Sequence, residues 1–175
     1  MKNKLKVINL ISGPGTGKSS IAAGLFYLMK IRGYNVELVT EYVKTAAYEK
    51  RKSIFDDQVY IFAKQMRRMH ILRNEVDWIV TDSPLLLSAI YSPVNYYENF
   101  IPLVQEVNNS FDNYNFFIKR TGKYSKVGRN ETEEEAKAID NRVLELLSKN
   151  EIPFKVVSRN DAPETILNII ENNEY

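Results

Sequence analysis

The residues at positions 12–19 read Ser-Gly-Pro-Gly-Thr-Gly-Lys-Ser and directly follow an apolar run at 5–11. A polyphosphate is held by several backbone amides that point at one anion, and glycines permit the positive φ angles and close approach that this requires. A lysine ammonium can neutralise phosphate oxygens, and a serine hydroxyl can ligate Mg²⁺. The pattern therefore predicts a phosphate-binding loop between a strand and a helix.

Each position of this loop has an expected contact. We expect Lys18 near the β- and γ-phosphates and Ser19 at Mg²⁺, while the first amides of the following helix hold the anion. The usual pattern, G-x-x-x-x-G-K-[ST], begins with glycine or alanine, whereas this chain has Ser12 there. We expect the neighbouring Gly13 to make the turn instead. The predicted nucleotide-binding residues are Gly13, Pro14, Gly15, Thr16, Gly17, Lys18, Ser19 and Ser20.

Two acidic residues stand at the ends of predicted strands. Asp82 follows the largely apolar segment at 76–80, which is the position of a carboxylate that ligates Mg²⁺ in nucleotide sites. Its alternative role is to cap the turn at Ser83 and Pro84. Glu41 ends the second predicted strand, where a carboxylate can accept the proton of an attacking hydroxyl group. Its alternative role is that of a helix N-terminal residue that interacts with the helix dipole.

A basic segment follows the fourth predicted strand. Arg120 and Arg129 bracket it, and Lys123 and Lys126 add positive charge. Guanidinium groups stabilise charge on phosphoryl oxygens, and a closing segment excludes water that would hydrolyse ATP. We therefore predict a mobile lid at about 119–131, with Arg120 and Arg129 as catalytic residues. The alternative is a solvated basic loop.

Polar residues on the longest predicted helix carry a weaker signal. Gln58, Gln65 and Arg68 flank its apolar stripe, and amide or guanidinium groups can contact the edge of a base or sugar. Polar residues beside an apolar stripe are more often exposed to solvent, which is the interpretation we adopt. We assign no role to His70, the only histidine.

Hydrophobic periodicity arranges these residues on alternating strands and helices. Strands are predicted at residues 5–11, 35–40, 76–80, 114–118 and 153–158. Helices are predicted from the loop to Gly33 and then at 41–52, 53–73, 132–149 and from 161. Residues 85–91 are expected to form a helix or a packed loop, and residues 96–111 to contain a further helical stretch. Caps are expected at Ser53 with Asp56, at Thr132 with Glu135, and at Asp161. This alternation predicts a mostly parallel sheet with helices on both faces and a ligand at its carboxyl edge.

The composition limits the class of protein. At 175 residues and 44% apolar content the chain can bury one core, so we expect a single domain over residues 1–175. The absence of cysteine excludes disulfides and thiolate metal sites. A net charge of +2 gives no general argument for nucleic-acid binding, and no apolar run approaches the ~20 residues that span a bilayer. We expect no membrane partner and a cytoplasmic location.

Four segments together resemble small P-loop kinases of the nucleoside and nucleotide kinase superfamily. They are residues 12–19, Thr40-Glu41-Tyr42, Thr81-Asp82-Ser83-Pro84 and Tyr124-x-x-x-Gly128-Arg129. Within the superfamily, the chain is similar to nicotinamide riboside kinase domains. It is also similar to short bacteriophage ATP-binding proteins that resemble deoxynucleoside and deoxynucleotide kinases.

The resemblance implies a three-layer α/β fold, the P-loop NTPase fold, with a five-stranded parallel sheet in the order 2-3-1-4-5. It also implies ATP with Mg²⁺ as the donor, an acceptor hydroxyl near Glu41, and a lid after the fourth strand. One departure limits what the resemblance implies about the acceptor. Ser83 and Pro84 stand where many deoxynucleoside or thymidylate kinases have an arginine. No particular acceptor is therefore implied.

Three functional hypotheses follow from these observations. The leading one is an ATP-dependent kinase that transfers the γ-phosphate to a hydroxyl of a nucleoside or nucleotide-like small molecule. The second places that hydroxyl on a polynucleotide, either at a 5′ end or on a hydroxymethylated base of phage DNA. The third is a non-catalytic or regulatory nucleotide-binding module. The chain has no N-K-x-D or T-K-x-D guanine-reading motif. The choice between ATP and GTP and the oligomeric state, a homodimer included, stay open.

Overall fold

The computed structural model describes residues 4–49, 54–121 and 132–175. Five strands lie within these residues: β1 (Lys6–Ile11), β2 (Val36–Val39), β3 (Trp78–Thr81), β4 (Asp112–Lys119) and β5 (Lys155–Ser158). They form one parallel sheet in the order β2-β3-β1-β4-β5. This arrangement confirms the predicted sheet and its order.

Helices connect the strands and cover both faces of the sheet. They are α1 (Lys18–Ile31), α2 (Val43–Tyr48), α3 (Gln58–His70), α4 (Leu87–Tyr91), α5 (Phe100–Asn109), α6 (Glu133–Lys149) and α7 (Ala162–Glu171). Parallel strands require such crossover connections, which is why strands and helices alternate along the chain.

The core lies on both sides of the central strand. Val7 and Ile11 of β1 pack in a cluster with residues of α3, α4, α5 and α6, whereas Ile8 and Leu10 pack in a second cluster with residues of α1 and α7. All four side chains are fully buried. Successive side chains of a strand point to opposite faces, so the burial of apolar β1 residues in both clusters shows that the strand is covered on both faces.

Trp78, the only tryptophan, begins β3 at the amino-terminal edge of the sheet. Its ring lies 6.3 Å from that of Tyr34 and 5.2 Å from that of Tyr114, measured between centroids. The Lys6 ammonium group lies 4.8 Å from the centre of the Trp78 ring. These contacts bury Trp78 at the edge opposite to the phosphate loop.

The start of α3 differs from the prediction. The helix begins at Gln58, and the carboxylate of Asp57 caps it by accepting a hydrogen bond from the Tyr60 amide. Residues 54–56 form a separate short turn, so Asp56 is not the cap, and Ser53 lies outside the described residues. Asp57 has the same kind of carboxylate oxygen as Asp56, but it stands directly before the first helical residue, which is the N-cap position.

The other two predicted caps have different outcomes. Thr132 and Glu135 form the expected capping box, in which each side chain accepts from the other residue's amide. Asp161 stands at the N-cap position of α7, but its side chain makes no capping hydrogen bond.

The carboxyl ends of four strands lead directly into the predicted functional residues. The phosphate loop begins at Ser12 after β1, Glu41 is the second residue after β2, Asp82 follows β3 and Arg120 follows β4. Parallel strands bring these ends to one edge of the sheet. Within the described parts of the chain, no helix is long and apolar enough to cross a membrane.

Candidate nucleotide-binding site

The phosphate loop has the backbone geometry that its glycines predict at two positions. Gly15 has φ of 88° and Gly17 has φ of 95°, both in the left-handed region that other residues rarely adopt. Gly17 is also the N-cap of α1 and offers no capping side chain, so the first amides of the helix are not satisfied by it. Such a turn followed by a helix N-terminus suits a phosphate anion.

Gly13 is constrained by its packing. It lies in the bend that begins the loop and is not among the glycines with positive φ. A Cβ atom at this position would lie 2.5 Å from the Ala136 carbonyl oxygen and 2.9 Å from Asp140 Oδ1. Helix α6 therefore packs so closely on the loop that a side chain does not fit.

We expect Gly13→Ala to lower the free energy of unfolding by about 1–3 kcal/mol, as overpacking does elsewhere. The backbone of α6 cannot move aside as a flexible side chain would. Urea denaturation measures the change. Gly24→Ala is the matched control, because its Cβ would lie 3.2 Å from Pro163 Cγ and 3.6 Å from Pro163 Cβ, and alanine favours the interior of α1. Equal midpoints for the Gly13 variant and the natural chain would contradict the prediction.

A buried ion pair joins α6 to the loop and to the end of β4. Asp140 Oδ1 accepts a hydrogen bond of 2.6 Å from the Gly13 amide, and Asp140 Oδ2 lies 2.8 Å from Arg120 Nε. Arg120 Nη2 also donates to the Ala136 carbonyl at 3.4 Å. The side chains of Arg120 and Asp140 are only 13% and 12% exposed. The described structure thus holds Arg120 in contact with a carboxylate.

The Lys18 ammonium group lies over the phosphate loop. Its Nζ donates hydrogen bonds of 2.8 Å to the carbonyls of Ser12 and Gly13. Burial lowers the pKa of Lys18 from 10.5 to about 8, and the negative charges of Glu41, Asp82 and Asp140 act against that shift. A polyphosphate bound in the loop would favour the protonated form further. Lys18 therefore lies where three carboxylates and the loop meet.

Glu41 and Asp82 are neighbours in the structure. The Glu41 amide donates to Asp82 Oδ1 at 3.1 Å, and Asp82 is 6% exposed. Glu41 itself lies on the surface, where a bound molecule could reach its carboxylate. Residues 41 positions apart in the chain are thus joined at the carboxyl edge of β2 and β3, next to Lys18.

The two glutamines of α3 are buried, which contradicts the predicted exposure. Gln58 is 5% exposed and Gln65 is 3% exposed. Gln58 Nε2 donates to the Phe55 carbonyl at 2.9 Å. Gln65 Oε1 accepts from the Tyr42 amide at 3.1 Å, and its Nε2 donates to the Thr40 carbonyl at 3.4 Å. Both amides are buried because backbone groups of adjacent loops satisfy them.

The structure brings most of the predicted site residues together. Glu41, Asp82 and Arg120 all lie close enough to Lys18 to act on its charge, and Ser19 and Ser20 follow Lys18 in the first turn of α1. Arg129 lies outside the described residues, as do Lys123 and Lys126, so its catalytic role stays a prediction.

Three residues near the site were not predicted to act there. Asp140 stands on the buried stripe of α6, Gln65 on that of α3, and the Arg159 side chain follows β5 and approaches Gly17. The helical spacing of Gln58 and Gln65 with Ile61, Phe62 and Met69 was a signal of their burial. Nothing local marks the contact of Asp140 with a loop 127 positions away.

The described residues fit a nucleotide polyphosphate with Mg²⁺. The left-handed glycines and the start of α1 suit phosphate, and the oxygens of Ser19 and Asp82 are the hard ligands that Mg²⁺ prefers. No group of three or more acidic or histidine side chains in the described part of the chain could hold a metal alone.

The comparisons with known proteins agree with this fold. A profile described as an AAA domain matches residues 7–164. The NadR protein in complex with NR superposes with a TM-score of 0.67 and 20% identity over 90% of this chain, which spans 46% of the NadR chain. Deoxyadenosine kinase from M. mycoides, with dCMP and dCDP bound, superposes with a TM-score of 0.61 and 21% sequence identity. This match covers 96% of this chain and 100% of the kinase chain. No curated protein sequence matches.

The solved structures are under 25% identical and establish the likeness of fold, which is that of P-loop proteins that include a nucleoside kinase. The profile match is broader evidence, because it extends from β1 through the phosphate loop and all later strands to α7. The chain therefore belongs to this family of AAA domains, with a P-loop fold like that of nucleoside kinases.

Proposed function

We propose that this protein is an ATP-dependent kinase that phosphorylates a hydroxyl group of a nucleoside or nucleotide-like small molecule. The observation that carries the proposal is the placement of Glu41 beside Asp82 and Lys18. A protein that only binds a nucleotide needs the loop and Mg²⁺ ligands, but it needs no further carboxylate at the edge of that site. A kinase needs one to orient and deprotonate its acceptor.

In the proposed reaction the acceptor hydroxyl oxygen bonds to the γ-phosphorus, and the bond from that phosphorus to the bridging oxygen of ADP breaks. Glu41 takes the hydroxyl proton. The amides of the phosphate loop and the Lys18 ammonium neutralise the phosphate oxygens, so they act mainly by position and charge. Ser19 and Asp82 would hold Mg²⁺, which when bound neutralises charge on the β- and γ-phosphates.

The structural neighbours support a nucleoside-like acceptor. The NadR structure contains NR, and the M. mycoides protein is a deoxyadenosine kinase. The acceptor itself has to be found by assay. A panel of nucleosides, deoxynucleoside monophosphates, nicotinamide riboside and hydroxymethylated DNA, scored by acceptor-stimulated ADP release, covers both the small-molecule and the polynucleotide hypotheses. A panel with no stimulated release at all would contradict the proposed kinase.

We expect Glu41→Gln to lower phosphoryl transfer by about 10²- to 10⁴-fold, the usual contribution of general base catalysis. Slow ATP hydrolysis without an acceptor should persist, because the donor half of the site stays intact. Steady-state assays with and without acceptor measure both rates.

Glu37→Gln is the matched control for this variant. Glu37 belongs to β2, where its carboxylate lies 3.1 Å from Lys30 Nζ on the exposed surface. This substitution should leave both rates unchanged. If Glu41→Gln lowered transfer and background hydrolysis by the same factor, Glu41 would not be the base for the acceptor.

A further inference from the structure

The segment that carries Glu41 is held from one side by helix α3. This segment, residues 40–42, connects β2 to α2. Gln65 contacts the backbone on both sides of Glu41, since it donates to the Thr40 carbonyl and accepts from the Tyr42 amide. Glu41 is thus flanked by two hydrogen bonds to a single amide side chain.

Other side chains of α3 contact the same segment. Arg68 Nη1 donates to the Thr40 carbonyl at 2.9 Å, and its guanidinium carbon lies 5.3 Å from the centre of the Tyr42 ring. The Tyr42 and Tyr60 hydroxyls are 2.9 Å apart. Tyr60 and Arg68 are both partly exposed, whereas Gln65 is 3% exposed. Gln65 is therefore the contact that water is least able to replace.

On the opposite side, the Glu41 amide is held by Asp82. The backbone at Glu41 is therefore fixed between a residue of the donor site and a residue of α3. A catalytic group must be held within a fraction of an ångström of its working position, and buried partners of its backbone can provide that precision.

We infer that Gln65 is a positioning residue for Glu41, an inference that rests on the kinase function proposed above. Gln65 acts by fixing the backbone that carries the carboxylate, and it takes no part in proton transfer. Two consequences follow. Loss of its hydrogen bonds lowers the rate of transfer to the acceptor much more than it weakens the binding of ATP. The rate of transfer falls in this way only while Glu41 is present.

The test is Gln65→Met, which keeps the length and burial of the side chain but removes both hydrogen bonds. Gln58→Met is the matched control, because Gln58 is also a buried glutamine of α3. Its side-chain amide donates a hydrogen bond to the Phe55 carbonyl, which lies outside residues 40–42. We expect the Gln65 variant to lower kcat for transfer by about tenfold or more, the effect of losing buried hydrogen bonds. The KM for ATP should change by less than about twofold.

The double variant Glu41→Gln/Gln65→Met separates positioning from general damage. If Gln65 acts through Glu41, adding Gln65→Met to Glu41→Gln should lower transfer by less than about twofold, because the effects of coupled residues are not additive. If Gln65→Met lowered transfer by the same factor in the natural chain and in the Glu41→Gln variant, the inference would be overturned. An equal loss from Gln58→Met would also overturn it.

A second measurement keeps this test independent of activity. Hydrogen exchange of the Glu41 and Tyr42 amides should become at least about tenfold faster in Gln65→Met and stay unchanged in Gln58→Met, since exchange reports local opening. Unchanged exchange in the Gln65 variant would refute positioning whatever the assays show. A natural chain that phosphorylates no acceptor would instead refute the proposed kinase function, so the two failures are distinguishable.

Discussion

Lys18→Met is expected to lower the rate of phosphoryl transfer by about 10²- to 10³-fold, the cost of removing one preorganised charge or donor from a developing anion. Lys18 is the ammonium group that lies on the phosphate loop. Methionine keeps most of the side chain's volume, so the effect should come from lost charge. Single-turnover assays with saturating ATP measure the chemical step apart from binding.

The control for this variant is Lys30→Met, at the other end of the same helix, where Lys30 forms an exposed ion pair with Glu37. Exposed pairs contribute little to stability, so this variant should behave like the natural chain. Both proteins should unfold at nearly the same urea concentration as the natural chain. Undiminished transfer by a folded Lys18→Met protein would falsify the assignment of this loop to the donor phosphates.

Asp140→Ala is expected to lower the free energy of unfolding by about 3–5 kcal/mol, the usual effect of removing one partner from a buried ion pair. The substitution leaves Arg120 without this counter-charge and removes the acceptor of the Gly13 amide. Urea denaturation measures the loss. Asp161→Ala is the control, because Asp161 is exposed and makes no capping hydrogen bond.

A second variant divides the effect of Asp140 between its two contacts. Asp140→Leu combined with Arg120→Met replaces the ion pair by apolar side chains and should recover much of the loss, because such replacements are often neutral. The remaining deficit should be about 1–3 kcal/mol, the cost of leaving the buried Gly13 amide without its acceptor. If Asp140→Ala unfolded at the same urea concentration as Asp161→Ala, the ion pair would have no part in stability.

The sheet and the phosphate loop could be predicted because their signals are local. The largely apolar run that contains β1, the three glycines and the lysine all lie within residues 5–19. Alternating strands and helices permit few topologies, because crossover connections have one hand. The resemblance to P-loop kinases then implied the order that the structure confirms.

The contacts that fix the site could not be predicted in the same way, because they join distant parts of the chain. Asp140 meets Gly13 across 127 positions, and Gln65 meets Tyr42 across 23. Their side chains are polar, so a pattern read by hydrophobicity assigns them to solvent. Gln65 nevertheless follows the buried spacing of Phe62 and Met69, and a polar residue in such a stripe indicates a buried hydrogen bond.

The position of Trp78 makes these variants easy to compare in solution. It is the only tryptophan, and it is buried among Tyr34, Tyr114 and Lys6 at the start of β3. Asp82 lies four residues further on, a distance of about 13 Å along an extended chain. Tryptophan fluorescence should therefore report the unfolding of the sheet with little response to nucleotide. The stability of the free and the nucleotide-bound protein can then be compared by the same optical signal.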